Sequence, residues 1–512
     1  MSRSLFRSLS TSTIYALSTP PGTSALAVVR LSGPSSFACV SSLLAPASTL
    51  PPPRQAGLRT LQHPTTGLPL DSALVLAFPS PHSSTGEDVV ELHLHGGRAV
   101  VAAVLRALES ARPAPTPASP GDFTRRAFLS GRLSLSQVEG LGDLLCADTE
   151  AQRLQAMALF GGALAARAAQ WRSGILHHLA TLEAILDFSP DEPDVQAAPL
   201  WAQCTAGAAA LLAALRAELA AGARGELVRG GVRAALCGAP NAGKSSLLNA
   251  LLHRPAAIVS PRAGTTRDVL RASLDLGGVP CTLADTAGLR DSGGQQGEGG
   301  GLDEVEVEGM ARARAEVQGA GVRLLVVDSA ALASAVQGSS SSGGKGSTSL
   351  QQLLGVATGQ AVQLLVLNKC DLALVSQAEA LAALASVAPP APSSSGSPPP
   401  PPPQVLAVSC KTGQGVSELL LALQAQVARV AWGEEGVPAA QPPLLTHARH
   451  RHAVAACVGC LEAFLESSRG GGLPELGAEE LRAAARALEP LIGAVSSEQL
   501  LDDIFARFCI GK

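Results

Sequence analysis

The stretch "GAPNAGKSSLLNALL", residues 238–252, decides the fold. Gly238, four further residues and then Gly243-Lys244-Ser245 make a glycine loop, and the apolar "RAALC" before it reads as a strand. The "SSLLNALL" after it reads as a helix. In a glycine loop that opens a helix, backbone N–H groups point at phosphate oxygens. Lys244 is then placed to reach β- and γ-phosphates and Ser245 to ligate Mg²⁺. A strand on one side and a helix on the other argue against a chance match.

Four more motifs follow in order. "GTTRD" supplies Thr265 and Thr266, one of which can complete a Mg²⁺ shell. "DTAG", residues 285–288, follows the strand-like "CTLA"; Asp285 can hold a Mg²⁺-bound water, and the Gly288 amide can sense a γ-phosphate. "NKCD", residues 368–371, ends the strand "LLVL", and "SCK", residues 409–411, ends "VLAV". Guanine offers an N1–H and N2–H₂ donor pair matched by one carboxylate, and adenine lacks that pair. Asp371, with Asn368 beside it, therefore selects guanine, and the expected nucleotide is GTP. The expected contact set is Asn241, Ala242, Gly243, Lys244, Ser245 and Ser246, then Asp285, Thr286, Ala287 and Gly288, then Asn368, Lys369 and Asp371, and last Ser409, Cys410 and Lys411.

Working outward, strands and helices alternate from Val232 to about Val430, which predicts a parallel sheet with helices on both faces. Three low-complexity insertions interrupt this α/β domain: "DSGGQQGEGGG", "SSSSGGKGSTS" and "PPAPSSSGSPPPPPPP". The first two read as flexible loops and the third as a stiff extended one, open to docking in an aromatic groove. Residues 14–110 carry strand-like pieces such as "ALAVVRLSG" and "DVVELHLHGG", in which Glu91, His93 and His95 alternate with Val90, Leu92 and Leu94. That is a mixed α+β domain, with "PPPRQAG" at 51–57 read as a surface loop. From Asp122 to Leu227 apolar residues recur at threes and fours, broken by "SPDEPD" at 189–194, and a final Ala-Leu helix is expected to end near Leu219. The chain is helical again after Val430. The α/β domain is thus inserted within an all-α one.

Composition narrows the field. Aromatics are 3% of 512 residues, so no aromatic platform is available for stacking single-stranded bases. The formal net charge of -4 excludes a global basic field. Ten cysteines without a disulfide rhythm fit a reducing compartment. Contiguous apolar runs such as "VRLLVVD" fall far short of the ~20 residues of a membrane span, so no span is expected. The leader "MSRSLFRSLSTST" is Arg- and Ser-rich and no acid precedes Asp71, which reads as an organelle transit peptide for a mitochondrion or, alternatively, a plastid. An untargeted terminus is the plain alternative.

The five motifs with "NAGKSSLLNALL" and "AGTTRDVL" resemble the translation-associated GTPases. The flanks "TPPGTSALAVVRLSG", "TGEDVVELHLHGG", "PGDFTRRAFLSGRLSLSQVEGLGDLL" and "CIGK" narrow the resemblance to the tRNA modification GTPases of the MnmE/TrmE family, from about residue 13 onward. The leader composition puts the transit peptide at 1–12, and the resemblance implies a tetrahydrofolate-binding domain at 13–129, a helical domain at 130–228 and 431–512, and an inserted Ras-like G domain at 229–430. It implies a homodimer formed through the N-terminal domain. It also implies a partner of the MnmG/GidA/MTO1 type carrying FAD, and modification of carbon 5 of a tRNA wobble uridine. The added group is of the aminomethyl type, or carries taurine in mitochondria, and its one-carbon unit comes from 5-formyl- or methylene-tetrahydrofolate.

The resemblance also assigns residues. Mg²⁺ falls to Ser245 and Thr266. K⁺ falls to Asn241, Ser260, Arg262 and Thr265, where a monovalent cation spreads transition-state charge. Leu289, after "DTAG", cannot orient water, and the family's glutamate in a "DEVE" segment matches Glu306 here. Arg30, Glu91 and Arg132 match folate contacts, with Lys512 closing the site. Guanidinium groups suit folate carboxylates, and a carboxylate suits the pterin edge. The family usually has lysine where this chain has Arg132. Cys509 matches a cysteine that affects modification. "CIGK" fits a prenylation tail poorly, because Gly511 and Lys512 break that rule. His450, Cys457 and Cys460 share one helix face, but a single helix rarely wraps a tetrahedral metal site, so packing or tRNA contact is preferred. Arg449 to His452 suits an RNA phosphate.

Two other classes compete. A ribosome-assembly or translation-associated switch would share the G domain but carry a basic RNA-binding module, which this chain lacks. A folate-binding regulator without hydrolysis would follow if the insertion at 292–301 displaced Glu306.

Overall fold

The computed structural model describes residues 12–188, 197–254, 271–285, 317–339, 362–373, 375–387, 402–433, 442–469 and 474–493, and residues 504, 505, 508 and 511. The chain forms two compact units. One comprises Met1–Cys146, Ala156–Leu215 and His452–Lys512, and the other Ala147–Gln155 and Arg216–Arg451.

The first unit holds a six-stranded sheet in the order β3-β4-β5-β2-β1-β6. Its strands are β1 (Ile14–Leu17), β2 (Leu26–Ser32), β3 (Gly57–Gln62), β4 (Pro69–Phe78), β5 (Val89–His95) and β6 (Thr116–Pro117). All pairings are antiparallel except the parallel one between β1 and β6. The period of two sorts the side chains. Ala27, Val29 and Leu31 of β2 and Val90, Leu92 and Leu94 of β5 are buried in one apolar core. Helices α1 (Ser36–Ser41) and α2 (Arg98–Glu109) supply the other side of that core through Cys39, Val40, Val104 and Leu108. The opposite sheet face carries Arg30, Glu91, His93 and His95, as the alternation predicts.

β3 departs from expectation. The loop read at 51–57 ends in Gly57, which opens the strand, and Pro51 is buried. "GLRTLQ" has too little alternation to announce itself. Its place is set by pairing with β4, where Leu58 faces Leu74.

Helices follow: α3 (Asp122–Leu129), α4 (Leu135–Leu145), α5 (Glu150–Phe160), α6 (Ala163–Phe188) and α7 (Ala197–Gly230). A capping box starts α4, with Ser134 and Gln137 satisfying each other's backbone N–H. α7 runs on past Leu219 to Gly230. By length and composition its stretch Ala198–Gly230 could cross a membrane, with a mean hydropathy of 1.4. Scanning for contiguous branched apolar runs misses it, because alanine supplies the hydropathy. Its C-terminal half makes polar contacts: Arg224 donates to the Trp432 carbonyl and Glu226 pairs with Arg451.

The second unit holds the other six-stranded sheet, ordered β12-β11-β10-β7-β9-β8. Its strands are β7 (Val232–Cys237), β8 (Arg271–Leu276), β9 (Val279–Asp285), β10 (Val322–Asp328), β11 (Leu364–Asn368) and β12 (Gln404–Val408). Five strands are mutually parallel, as expected. The edge strand β8 is antiparallel to β9, a hairpin partner the sequence reading did not separate. Helices lie on both faces. α8 (Lys244–Leu252) and Val416–Trp432 pack one core through Leu247, Leu251, Leu419 and Leu423. Ser329–Ser339 and Gln377–Val387 pack the other through Leu332, Ala335, Ala380 and Ala383.

The chain then returns to the first unit, where helix Pro474–Ala487 packs on α6. Phe505 and Phe508 join Leu135 and Val138 in a small core beside Phe128. Gly511 lies against β1: its φ is +92°, and a Cβ there would come within 2.5 Å of the Leu17 carbonyl. Ser18 Oγ donates to the Gly511 carbonyl at 3.1 Å.

Candidate functional site

The carboxyl ends of parallel strands are where α/β sheets place ligands. Here β7 ends at Cys237 and delivers the loop 238–243, β9 ends at Asp285, β10 at Asp328, β11 at Asn368, and β12 just before Ser409. Motifs spread along the chain from residue 238 to residue 411 are thereby gathered at one sheet edge.

The loop is tied down from within. Lys244 is 4% exposed, and its Nζ donates to the carbonyls of Gly238 at 2.9 Å and Ala239 at 2.7 Å. Gly243 caps α8 with φ +89°, and a Cβ there would collide with Asn368 Nδ2, so this position admits only glycine. Asn241 holds φ +64°, a left-handed conformation that asparagine tolerates. Beneath the loop, burial pushes the Cys237 thiol up to about 11 against the pull of Arg323 and Lys244.

Ser245 Oγ donates to Asp285 Oδ2 at 2.6 Å, and Asp285 is fully buried. A hydroxyl and a carboxylate side by side at the head of the loop form the hard oxygen set that Mg²⁺ prefers. The residues present fit that ion: Ser245 and Asp285 would hold it, directly or through water, and it would supply charge neutralisation for phosphate oxygens.

The base end is equally connected. Asn368 is 1% exposed and its Nδ2 donates to the Ala242 carbonyl at 2.9 Å. Lys369, at φ +61°, donates to the Asn241 carbonyl at 3.1 Å and pairs with Asp328 at 2.7 Å. Burial works to raise the Asp328 carboxyl, but the Lys369 hydrogen bond and the Ala330 and Ala331 amides hold it below the usual range. Ser409 is buried and its Oγ accepts from the Thr412 amide at 3.2 Å, shaping the turn that carries Cys410 and Lys411. Asp371, Lys411 and Ser246 are exposed. Asp328 is the residue the sequence reading missed. Its signal was an aspartate ending the apolar "VRLLVVD" in the same way that Asp285 ends "CTLAD".

Ser260, Arg262, Thr265, Thr266, Thr286, Ala287, Gly288, Leu289, Glu306, Cys509 and Lys512 lie outside the described residues.

In the first unit the structure joins Arg30 and Glu91. They are register partners across β2 and β5, with nitrogen–oxygen distances of 2.9 and 2.8 Å. His93 Nε2 lies 3.5 Å from Glu91, and the Arg30 guanidinium sits over the Phe123 ring at 5.8 Å. Arg132 is exposed with its stem beside Gly86, and forms no ion pair among the described residues. Three of the quoted flanking motifs meet in a largely buried latch: Ser32 Oγ contacts Thr85 at 2.7 Å and donates to Glu87 at 2.8 Å, and Arg126 pairs with Glu87 at 2.8 Å. A separate cavity of about 370 Å³ lies between the β1–β2 turn and α2, lined by Pro20, Pro21, Leu17, Arg98 and Leu105. His450 and Cys457 are buried, and among the described residues no group of His, Cys, Asp or Glu is arranged to hold a metal.

A glycine phosphate loop, a serine–aspartate pair at its head and an NKCD base loop on one parallel sheet define a P-loop GTPase. Comparison with known proteins carries this to a family. The model of the MnmE helical domain matches residues 135–509, and that of the GTP-binding protein TrmE N-terminus matches 13–132. The tRNA modification GTPase MnmE of Parvibaculum lavamentivorans is 44% identical over 98% of this chain and 100% of its own length. The mitochondrial 5-taurinomethyluridine-[tRNA] synthase subunit GTPB3 of Rattus norvegicus is 43% identical over 98% of this chain and 93% of its own. Among solved structures, the G domain of the T. maritima FeoB iron transporter is 23% identical over 39% of this chain and 98% of that one, at a TM-score of 0.24. The chain belongs to the MnmE family of tRNA modification GTPases.

Proposed function

We propose that this GTPase is activated by potassium. In this reading it works with an FAD protein of the MnmG/GidA type to modify carbon 5 of the wobble uridine of certain tRNAs, using a folate one-carbon unit. The observation that carries the hydrolytic half is the 2.6 Å contact of Ser245 with the buried Asp285 at the head of the phosphate loop. Lys244 exchanges its loop carbonyls for phosphate oxygens, Asp371 reads the guanine edge, and Asn241 with Ser260, Arg262 and Thr265 holds K⁺. Glu306 orients the attacking water.

The folate half rests on the half-buried Arg30–Glu91 pair, which can open toward a carboxylate and a pterin edge. The contact of Gly511 with Leu17 and Ser18 supports it, since Gly511 lies against β1 of this same sheet. Leu58 and Leu74 are exposed register partners on the same sheet, and this apolar patch supports a homodimer formed through the N-terminal domain. The rat relative's name and the leader at 1–12 favour a mitochondrial site of action. The three-domain division, with the G domain at 229–430, belongs to the same proposal.

GTP then serves as a gate. Ordering of switch segments by the γ-phosphate turns local bonds into domain movement, so modification requires hydrolysis rather than binding alone. The test is reconstitution with the flavin partner, tRNA and a folate donor, in matched KCl and NaCl. We expect turnover and modification in KCl with GTP, and neither with a non-hydrolysable analogue. Glu306→Ala is expected to keep GTP affinity and lose ~10²-fold in turnover. Equal rates in the two salts would remove potassium from the mechanism, and full modification with the analogue would remove the gate.

A further inference from the structure

Asn368 is buried and its amide has two ends to satisfy. The nitrogen end donates to the Ala242 carbonyl of the phosphate loop at 2.9 Å. The oxygen end accepts from the Cys410 thiol at 3.4 Å. We infer that Cys410 is a positioning residue for guanine-nucleotide binding: its S–H group fixes which way the Asn368 amide points, and so locks the base loop to the phosphate loop. The inference rests on the nucleotide site proposed above and adds a role for one side chain within it.

The geometry leaves the amide little choice. Asn368 Nδ2 packs directly on the loop at Gly243, where even a Cβ would collide with it. The alternative to be opposed is a flip of the amide about its terminal bond. A flip would set its carbonyl against the Ala242 carbonyl and its NH₂ against sulfur, losing one hydrogen bond and creating a repulsion between two acceptors. The thiol opposes the flip because it donates toward Oδ1. Its donor proton is retained at neutral pH, since burial pushes the Cys410 thiol up more strongly than its backbone hydrogen bond pulls it down. Backbone pairing holds the two segments in register: Asn368 faces Val408 across β11 and β12, and the Cys370 amide donates to the Val408 carbonyl at 3.2 Å. Val408 is aliphatic and cannot donate from its side chain, so the duty falls to Cys410.

Cys410→Ala removes the donor and leaves Asn368 Oδ1 buried without a partner. Cys410→Ser restores an O–H donor of similar reach. The full-length chain would be loaded with a fluorescent GDP and its dissociation rate and affinity measured, with GTP turnover and thermal midpoint in parallel. We expect Cys410→Ala to release GDP about tenfold faster and to raise KM by a similar factor, the scale of one orphaned buried acceptor. Its kcat should stay near wild type, because Lys244, Ser245 and Asp285 are untouched, while its thermal midpoint should fall by a few degrees, since the orphaned acceptor also weakens the folded chain. Cys410→Ser should return both KM and release rate close to wild type. Unchanged release in Cys410→Ala, or a serine variant as weak as the alanine one, would overturn the inference. Failure of the underlying site would look different: the wild-type chain itself would show no preference for GDP over ADP.

Discussion

The two units solve the problem of placing charged groups in different ways. In the second unit Lys244, Asn368, Lys369 and the Ser245–Asp285 pair lie at strand ends or at the head of α8, each tied to backbone carbonyls or to a neighbouring site residue. Lys244, Lys369 and Asn368 all donate to carbonyls of the loop 238–243. In the first unit the central pair, Arg30 and Glu91, sits mid-strand on the open face of an antiparallel sheet, where cross-strand register brings the two side chains into an ion pair. The difference teaches that the nucleotide site is a property of loops that short motifs encode, whereas the Arg30–Glu91 site is a property of strand pairing. The first should tolerate changes in the sheet but not in the loop. The second should fail whenever either partner is lost.

The largest effect is expected at the base loop. Asp371→Asn replaces the acceptor for the guanine donor pair with an amide that can donate to the extra carbonyl of xanthine. Discrimination should move by up to ~10⁴-fold from GTP toward xanthosine triphosphate. Competition binding with the two nucleotides measures it. A variant that kept its guanine preference would take the base-reading role away from this loop and weaken the contrast between the units.

A smaller effect is expected on the sheet face. Arg30→Met keeps much of the packing over Phe123 but leaves the half-buried Glu91 without its main counter-charge. Binding of 5-formyl-tetrahydrofolate by calorimetry should weaken on the order of tenfold, the scale of a lost charged hydrogen bond. GTP turnover without tRNA should be unchanged. Undiminished folate binding would separate the pair from the folate site, and a fall in basal turnover would show that the two sites are not independent.

The smallest effect concerns pH. The Asp328 carboxyl is held low in the folded chain, so the pair with Lys369 contributes stability above the unfolded pKa of about 3.9 and loses it as pH falls through the folded value. Asp328→Asn should therefore flatten the acid side of the stability curve and leave neutral turnover near wild type. Side-chain exposures of 37% for Lys369 and 20% for Asp328 keep the effect to about 1 kcal/mol or less. Urea unfolding at pH 3 to 7 reads it, and parallel curves for the two proteins would show that the pair carries no linkage.

Reading the sequence worked best where chemistry and chain order coincide. Gly243, Lys244 and Ser245 are consecutive, so the loop could be recognised before any tertiary contact was known. Asn368 and Asp371 were legible for the same reason. Asp328 was not, because nothing in "VRLLVVD" says that β10 will lie beside β11 and offer its terminal carboxylate to Lys369. β3 and β8 escaped for a related reason: each is defined by its partner, β4 or β9, more than by its own pattern. α7 was cut short because its last turns are rich in glycine, arginine and glutamate, and packing in its own unit sustains them.

By itself the sequence determined a GTPase phosphate loop on an α/β sheet, a mixed α+β domain before it and helices on either side of the insertion. It could do so because glycine conformation, strand alternation and helix periodicity are local consequences of covalent geometry. Only the tertiary structure decided which polar groups meet. Arg30 finds Glu91 61 residues away, Arg126 finds Glu87 across 39, and Cys410 reaches Asn368 across 42. Such meetings depend on strand register and sheet order, which are set by burying whole faces at once.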